Sequence, residues 1–224
     1  MMPHMTPRFR VTTLDDVGEI PVVGGSLRWK PLRRTLDVRA FGINAYVADA
    51  GHDVVEEHDE TGAGAGGHQE LYLVLRGHAR FTIDGEELDA PAGTVVFLPE
   101  PATRRAAKAA QDDTMVLAVG GDPAAPYAVS PWEHWFAAEP AWAAGDYDGA
   151  VATMLEGLPE HEGNPNLHYQ LACALALGGR HDEALEHLGK AYAAAPEQVA
   201  KWAEKDTDLD ALRGMGGYPI PAAG

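Results

Sequence analysis

The chain has 224 residues and a formal net charge of −17, with 46% hydrophobic and 23% charged residues. This composition is typical of a folded globular protein. The acidic balance disfavours nucleic acid and anionic membranes as partners, because both are bound by basic surfaces.

The N-terminal sequence, the lengths of the apolar stretches and the single cysteine bear on the location of the protein and on its cysteine chemistry. The N-terminal sequence MMPHMTPRFRVTT lacks the apolar core of a signal peptide. No apolar stretch approaches the roughly 18 residues that a bilayer span requires. Cys173 alone forms no intrachain disulfide and no cysteine-rich metal cluster. We therefore expect a cytoplasmic protein without membrane contacts, and the richness in Ala, Gly, Asp and Arg is typical of a bacterial source.

The segment 25–120 is predicted to form antiparallel β-structure, because short apolar runs of period two are separated by turn residues. Asp84-Gly85 predicts a two-residue hairpin turn, in which both residues take positive φ. Pro91-Ala92-Gly93 predicts another turn. The predicted strands cover residues 26–35, 38–49, 72–75, 79–83, 94–98 and 114–119.

A glycine-rich stretch, GAGAGG at residues 62–67, interrupts this pattern. It has almost no side chains to pack, so it is predicted to be a flexible loop. Two interpretations are open. The loop is a lid beside a binding site, or it is a tolerated insertion.

The chain changes period after Gly121 and becomes rich in Ala and Leu at helical spacing. AGDYDGAV at 144–151 aligns with GGRHDEAL at 178–185, a shift of 34 residues. Paired helices at this period are typical of tetratricopeptide repeats. The predicted organisation is an N-terminal arm (1–24), a β-barrel (25–120), a linker (121–131), helical repeats (132–213) and a flexible tail (214–224).

A histidine and a glutamate, His68 and Glu70, stand two residues apart at the start of a predicted strand. In an extended chain, side chains at i and i+2 point to the same face. If that face lines a pocket, the two residues form half a metal site or an acid/base pair. We predict them as the catalytic residues, and we interpret Tyr72, on the same strand, as core packing.

Two motifs in this half resemble those of the cupin superfamily, specifically its RmlC-like single-domain members. Glu70-LYLVLR-Gly77 matches the second half of the first cupin motif, and Pro91-Ala92-Gly93-TVVFL-Pro99 matches the first part of the second. The resemblance implies an α+β fold, in which an antiparallel β-barrel (a double-stranded β-helix) precedes the all-α, tetratricopeptide-like segment. It also implies a small-molecule ligand in the barrel and a homodimer paired through barrel edges.

The sequence departs from the family at the positions that hold metal. The usual His-x-His pair is missing, and EEHDE at 56–60 offers only His58. The late histidine of the second motif falls at or next to Arg104, and arginine is not a metal ligand. Two alternatives follow. In the first, His58, His68 and Glu70, with Glu60 as a further candidate, bind one divalent Fe, Mn, Zn, Ni or Cu ion. In the second, there is no metal and Arg104 holds an anionic group.

The remaining candidates complete a pocket for a small, anionic molecule. Asn44 and Tyr46 lie on one face of their strand and are predicted to contact the ligand. Arg104 and Arg105 alternate, and the sequence leaves open which of them points inward. Whether the protein is an enzyme is also left open. The alternative is a ligand-sensing or interaction module whose helical repeats bind a protein partner.

Overall fold

The structure, a computed structural model, describes residues 10–62 and 65–221. Parts of the predicted arm (1–9), glycine loop (63–64) and tail (222–224) lie outside the described residues. The chain divides into two compact units. The first comprises Met1–His58 and His68–Tyr127, and the second comprises Asp59–Gly67 and Ala128–Gly224.

The first unit is built from antiparallel β-sheets, which confirms the predicted β-structure. Its described residues form a six-stranded sheet of order β1-β2-β3-β10-β5-β8 and a four-stranded sheet of order β4-β9-β6-β7. The strands are β1 (Ile20–Val22), β2 (Leu27–Lys30), β3 (Gly42–Ala48), β4 (Asp53–His58), β5 (Gln69–Arg76), β6 (His78–Ile83), β7 (Glu86–Pro91), β8 (Val95–Leu98), β9 (Arg105–Ala109) and β10 (Thr114–Gly121).

The main core of this unit lies between the two sheets. Tyr72, Val96 and Val116 of the larger sheet pack in one buried cluster with Phe81 and Ala107 of the smaller sheet. Alternate residues along each strand supply these side chains, as expected for sheets that pack face to face. A smaller cluster forms on the other face of the larger sheet, from Val17, Leu32, Ala45, Val47 and Met115.

Two turns show why the sequence has glycine where it does. Asp84 and Gly85 have φ of 46° and 86° between the paired residues Ile83 and Glu86, so the predicted hairpin is confirmed. Gly77 has φ of +72°, and a Cβ at this position would lie 2.5 Å from the hydroxyl oxygen of Thr114. Glycine is required there because the backbone conformation and the close approach both exclude a side chain.

The structure differs from the predicted strands in two ways. One predicted strand is shorter, and several observed strands were not predicted. The predicted strand 26–35 contains only β2, because Pro31 lacks an N–H and a short helix α1 (Leu32–Leu36) follows. β1 begins at Ile20, inside the predicted arm, and is too short to produce a visible period. β4 and β7 are rich in charged residues because most of their side chains are exposed or half-buried. β9, with the sequence RAAKA, carries three alanines and gives no clear apolar period, so it was not predicted either.

The second unit is helical, as the sequence predicted. Its described residues form α2 (Trp132–Ala143), α3 (Tyr147–Leu155), α4 (Pro165–Leu177), α5 (His181–Ala194), α6 (Pro196–Ala203) and a 3₁₀ turn, Thr207–Leu212. Helices α3 and α5 begin 34 residues apart, and Gly145 and Gly179 with φ of +73° and +76° end the helices before them. The tetratricopeptide assignment stays a prediction. Among the described residues, no helix combines the length and hydropathy that crossing a bilayer requires.

A pair of histidines joins α4 to α5. Nε2 of His168 lies 2.6 Å from the carbonyl oxygen of Glu162, so it carries a proton and donates. Nδ1 of His168 lies 2.9 Å from Nδ1 of His187. In the neutral pair, His187 therefore donates to His168, because the Nδ1 of His168 has a free lone pair.

The helical unit should lose stability as the pH falls from about 6.5 towards 4. Burial, reinforced by His168 and Lys190, lowers the pKa of His187 from 6.5 to about 4, although Glu186 and Glu183 oppose the shift. Between these pH values the unfolded chain binds more protons than the folded one. Because His187 is partly exposed, we expect a loss of about 1–2 kcal/mol. Urea unfolding at pH 7 and pH 4.5, followed by circular dichroism at 222 nm, measures it.

The control for this experiment separates His187 from the acidic groups that titrate in the same range. The His187→Gln variant should lose part of the pH dependence. His181→Gln, on the same helix, should keep all of it. An unchanged slope in His187→Gln would show that the histidine pair does not couple to folding.

Candidate functional site

A cluster of polar side chains lies at one end of the first unit, where β4, β5 and β9 come together. On β5, Tyr72 and Val74 belong to the core between the sheets. Glu70 therefore also points between the sheets, because it precedes Tyr72 by two residues. His58 is the last residue of β4, and it pairs with Arg105, the first residue of β9.

Three side chains converge on one carboxylate oxygen of Glu70. The Tyr72 hydroxyl donates a hydrogen bond to Oε2 over 2.5 Å. Nε2 of His58 lies 3.6 Å and Nε of Arg105 lies 3.4 Å from the same oxygen. The Glu70 side chain is 12% exposed and that of His58 is 34% exposed, so the cluster reaches solvent through His58.

The protonation states of the cluster follow from these contacts. Burial alone would raise the pKa of Glu70, but hydrogen bonds from His58 and Tyr72 and the charge of Arg105 outweigh it and lower the pKa below its usual value. Burial and the Glu70 charge raise the pKa of Tyr72 well above its usual value. At neutral pH Glu70 is therefore an acceptor and Tyr72 a donor.

Arg105 is the least ordinary member of the cluster. Its side chain is 0% exposed, whereas arginine is rarely buried completely. Nη1 donates to the carbonyl oxygen of Pro101 over 3.3 Å. Within the described part of the chain, Nε and Nη2 make no hydrogen bond. The Glu70 carboxylate lies 3.4 Å from Nε and balances the charge without forming a hydrogen bond. A buried donor without a hydrogen bond costs about 1–3 kcal/mol.

His58 has one ring nitrogen committed to the backbone. Nδ1 lies 2.7 Å from the carbonyl oxygen of Glu56 and donates to it. Nε2 then faces Glu70, either as a lone pair or, when protonated, as a second donor to the carboxylate. The ring is thus oriented by its own strand.

The backbone of His68 lies beside the cluster, but its ring stacks on Tyr127 and not on a member of the cluster. A Cβ on Gly120 would be 3.4 Å from both His68 Cβ and Glu70 Cγ, so the two side chains leave the backbone side by side. The His68 ring stacks on Tyr127, with 5.4 Å between centroids. Among the described residues, the set of metal-ligand atoms within 4.8 Å of one another includes those of His58 and Glu70 but not of His68. The structure thus brings together two of the three predicted metal ligands.

The two neighbouring arginines take opposite places. Arg104 is 60% exposed and donates to the exposed Glu57 over 2.5 Å. Arg105 points inward with Ala107, while Lys108 points to solvent. Of the two, Arg105 is thus the arginine that points between the sheets, whereas Arg104, the predicted anion-binding residue, lies at the surface, and its role stays a prediction.

The other predicted ligand contacts, Asn44 and Tyr46, lie on the inner face of β3. Asn44 pairs with Ala118, which pairs in turn with Tyr72, so the three lie in one row across the sheet. Asn44 is buried, and Tyr46 packs against the core. They share the face of Glu70. Sequence reasoning missed the role of Tyr72, although its i+2 spacing from Glu70 was a usable signal.

These side chains fit a divalent metal poorly. His58 and Glu70 are candidate ligands. The guanidinium of Arg105 is a permanent cation 3.4 Å from the same carboxylate oxygen. It would repel a dication bound there.

Comparisons with known proteins return fold-level likeness only. No protein-family model matches the sequence, and no curated protein matches it. A cupin protein from Bacteroides fragilis is 19% identical, covers 56% of this chain and 93% of its own, and has a TM-score of 0.39. An RmlC-like cupin from Shewanella frigidimarina is 15% identical over 53% and 94%, with a TM-score of 0.38.

A further solved structure, a predicted oxalate decarboxylase from Thermotoga maritima, is 18% identical over 50% of this chain and 97% of its own, with a TM-score of 0.41. Such identities and scores are too low to carry an activity or a ligand from those proteins to this chain.

Proposed function

We propose that the first unit binds a small anionic molecule at the Arg105–Glu70 cluster, defined as His58, Glu70, Tyr72 and Arg105. The observation that supports this is the guanidinium of Arg105, which is fully buried and has two nitrogen atoms, Nε and Nη2, that form no hydrogen bond among the described residues. A guanidinium offers charged donors, which form stronger hydrogen bonds to an anion than neutral donors do.

The free edge of Arg105 matches the geometry of a carboxylate. Nε–H and one Nη2–H point in the same direction and can donate two parallel hydrogen bonds to the two oxygens of one carboxylate. The ligand must be small, because Tyr72, Val96 and Leu98 already fill the space between the sheets next to Glu70. A divalent metal, the other alternative from the sequence, is not part of this proposal.

The cluster also holds groups suited to proton transfer. Ionised Glu70 can accept a proton from a bound molecule, and Tyr72 holds its carboxylate in place through a 2.5 Å hydrogen bond. His68, predicted as a catalytic partner of Glu70, stacks on Tyr127. The catalytic roles of His68 and Glu70, the homodimer, the cytoplasmic location and the protein partner of the helices stay predictions.

Titration of the full-length protein with acetate tests the proposal. The arginine Nε–H resonances report each guanidinium by nuclear magnetic resonance. Acetate should shift the Arg105 resonance in a saturable way, because it adds the acceptor that Nε and Nη2 lack. Acetamide, which is isosteric but neutral, should not. The exposed Arg104 serves as the internal control. If Arg105 responds no differently from Arg104, the proposed anion site does not exist.

A further inference from the structure

We infer that the molecule bound at the Arg105–Glu70 cluster is a small 2-hydroxycarboxylate, whose carboxylate binds Arg105 and whose hydroxyl donates to Glu70. This inference rests on the proposed anion binding and narrows it to one class of ligand. It follows from the position of a second, ionised carboxylate beside the arginine.

A simple carboxylate bound to Arg105 would lie next to the ionised carboxylate of Glu70. Nε of Arg105 lies only 3.4 Å from Oε2 of Glu70. An acceptor bound to Nε and Nη2 is therefore close to Glu70, and two carboxylates at such a distance repel each other. A hydroxyl group on the carbon next to the ligand carboxylate changes this contact. It places a donor towards Glu70, where it forms a charge-assisted hydrogen bond.

Glu70 has the capacity to accept this bond. An ionised carboxylate has about four lone-pair directions, and the Tyr72 hydroxyl occupies one of them. His58 and Arg105 stabilise the ionised form, so Glu70 accepts and does not donate. Tyr72 is buried and fixes the carboxylate before the ligand arrives, which reduces the entropy lost on binding.

The neighbours of Glu70 in the sheet limit the ligand to a short chain. On one side Glu70 pairs with Gly120, which has no side chain on the inner face. On the other side it pairs with Leu98, which is buried and apolar. A Cβ on Gly120 would already lie 3.4 Å from Glu70 Cγ and His68 Cβ, so the space on that side is narrow. Beside Leu98 the ligand meets no polar partner. A two- or three-carbon hydroxy acid fits this surrounding better than a sugar acid.

Glycolate, acetate and glycolamide separate the two contacts when they are titrated into the full-length protein. Glycolate should bind at least about tenfold more tightly than acetate, because one hydrogen bond to a charged acceptor contributes that much. Glycolamide should not bind, since it keeps the hydroxyl but lacks the charge. In Glu70→Gln, acetate should bind more tightly than in the wild type, and the ratio of glycolate to acetate affinity should fall towards one.

Two further variants keep this test decisive. Glu57→Gln removes an exposed carboxylate next to Arg104 and should leave the ratio unchanged. Tyr72→Phe removes only the hydroxyl that orients Glu70 and should lower the ratio several-fold, which serves if Glu70→Gln does not fold. Equal binding of acetate and glycolate to the wild type, or an unchanged ratio in Glu70→Gln and Tyr72→Phe, would overturn the inference and leave anion binding intact. Failure of both acids to bind would refute the proposed function itself.

Discussion

Replacing Arg105 with methionine is expected to weaken the binding of acetate or glycolate by about 100-fold or more. Truncating one partner of a buried, charge-assisted pair typically costs 2–5 kcal/mol. Methionine resembles the arginine stem in volume and carries no charge, so the variant should fold. Calorimetric titration measures the affinity. The pKa of Glu70, followed by carbon-13 chemical shifts, should rise, because the Arg105 charge that helps to lower it is gone.

The matched control for this variant is the residue next door. Arg104→Met removes an equal charge from the same segment, but from a side chain that is 60% exposed and paired with Glu57. It should leave affinity within about twofold, because exposed ion pairs contribute little. If Arg104→Met weakens binding as much as Arg105→Met, the anion is attracted by general surface charge, and the buried edge of Arg105 plays no special part.

The pair Arg104 and Arg105 also shows where sequence reasoning reaches its limit in the site. The sequence predicts that one arginine points inward, because neighbours in a strand alternate. It does not decide which one, since a register shift of one residue exchanges the two faces. The pairing of β4 with β9 is itself irregular between Val55 and His58. In the structure, Ala107 and Ala109 are buried, and Arg105 points to the same inner face because it lies two and four residues before them on the strand.

The fold was more predictable where the local signal is strong. Asp84 and Gly85 determine their turn through their own backbone preferences, so the hairpin is visible without any tertiary information. β4 and β7 depend on partners far along the chain and carry charged residues on their exposed faces. Their stabilisation comes from pairing with β9 and β6, which no local pattern contains.

The contacts of Glu70 are also of two kinds, those that the local sequence predicts and those that depend on distant strands. Tyr72 is two residues away and follows from the strand period alone. His58 and Arg105 come from other strands, so their approach to Glu70 depends on sheet order. His68, at the same i±2 spacing as Tyr72, lies just before β5 begins, and its ring turns to Tyr127. Spacing within a strand therefore predicted a shared face, but it did not predict which side chains meet.

Replacing Arg105 with histidine is expected to make the protein bind Co²⁺ or Zn²⁺ much more tightly than the wild type does. Arg105 and His58 face each other across β4 and β9, and both approach Oε2 of Glu70. The substitution removes a permanent cation and adds an imidazole, which gives two histidines and one carboxylate. Relief of repulsion worth about 4 kcal/mol per unit charge at 4 Å predicts an affinity for Co²⁺ at least about 100-fold above that of the wild type.

Cobalt absorption in the visible range reports both the affinity and the coordination of this variant. Arg104→His, one residue away but outward-facing, is the matched control and should show no such gain in affinity. Adding Glu70→Gln to Arg105→His should weaken the metal again, because the anionic ligand is lost. If Arg105→His binds Co²⁺ no better than Arg104→His, then His58, Glu70 and position 105 do not converge in solution. The anion site, which depends on the same convergence, would then lose its geometric basis.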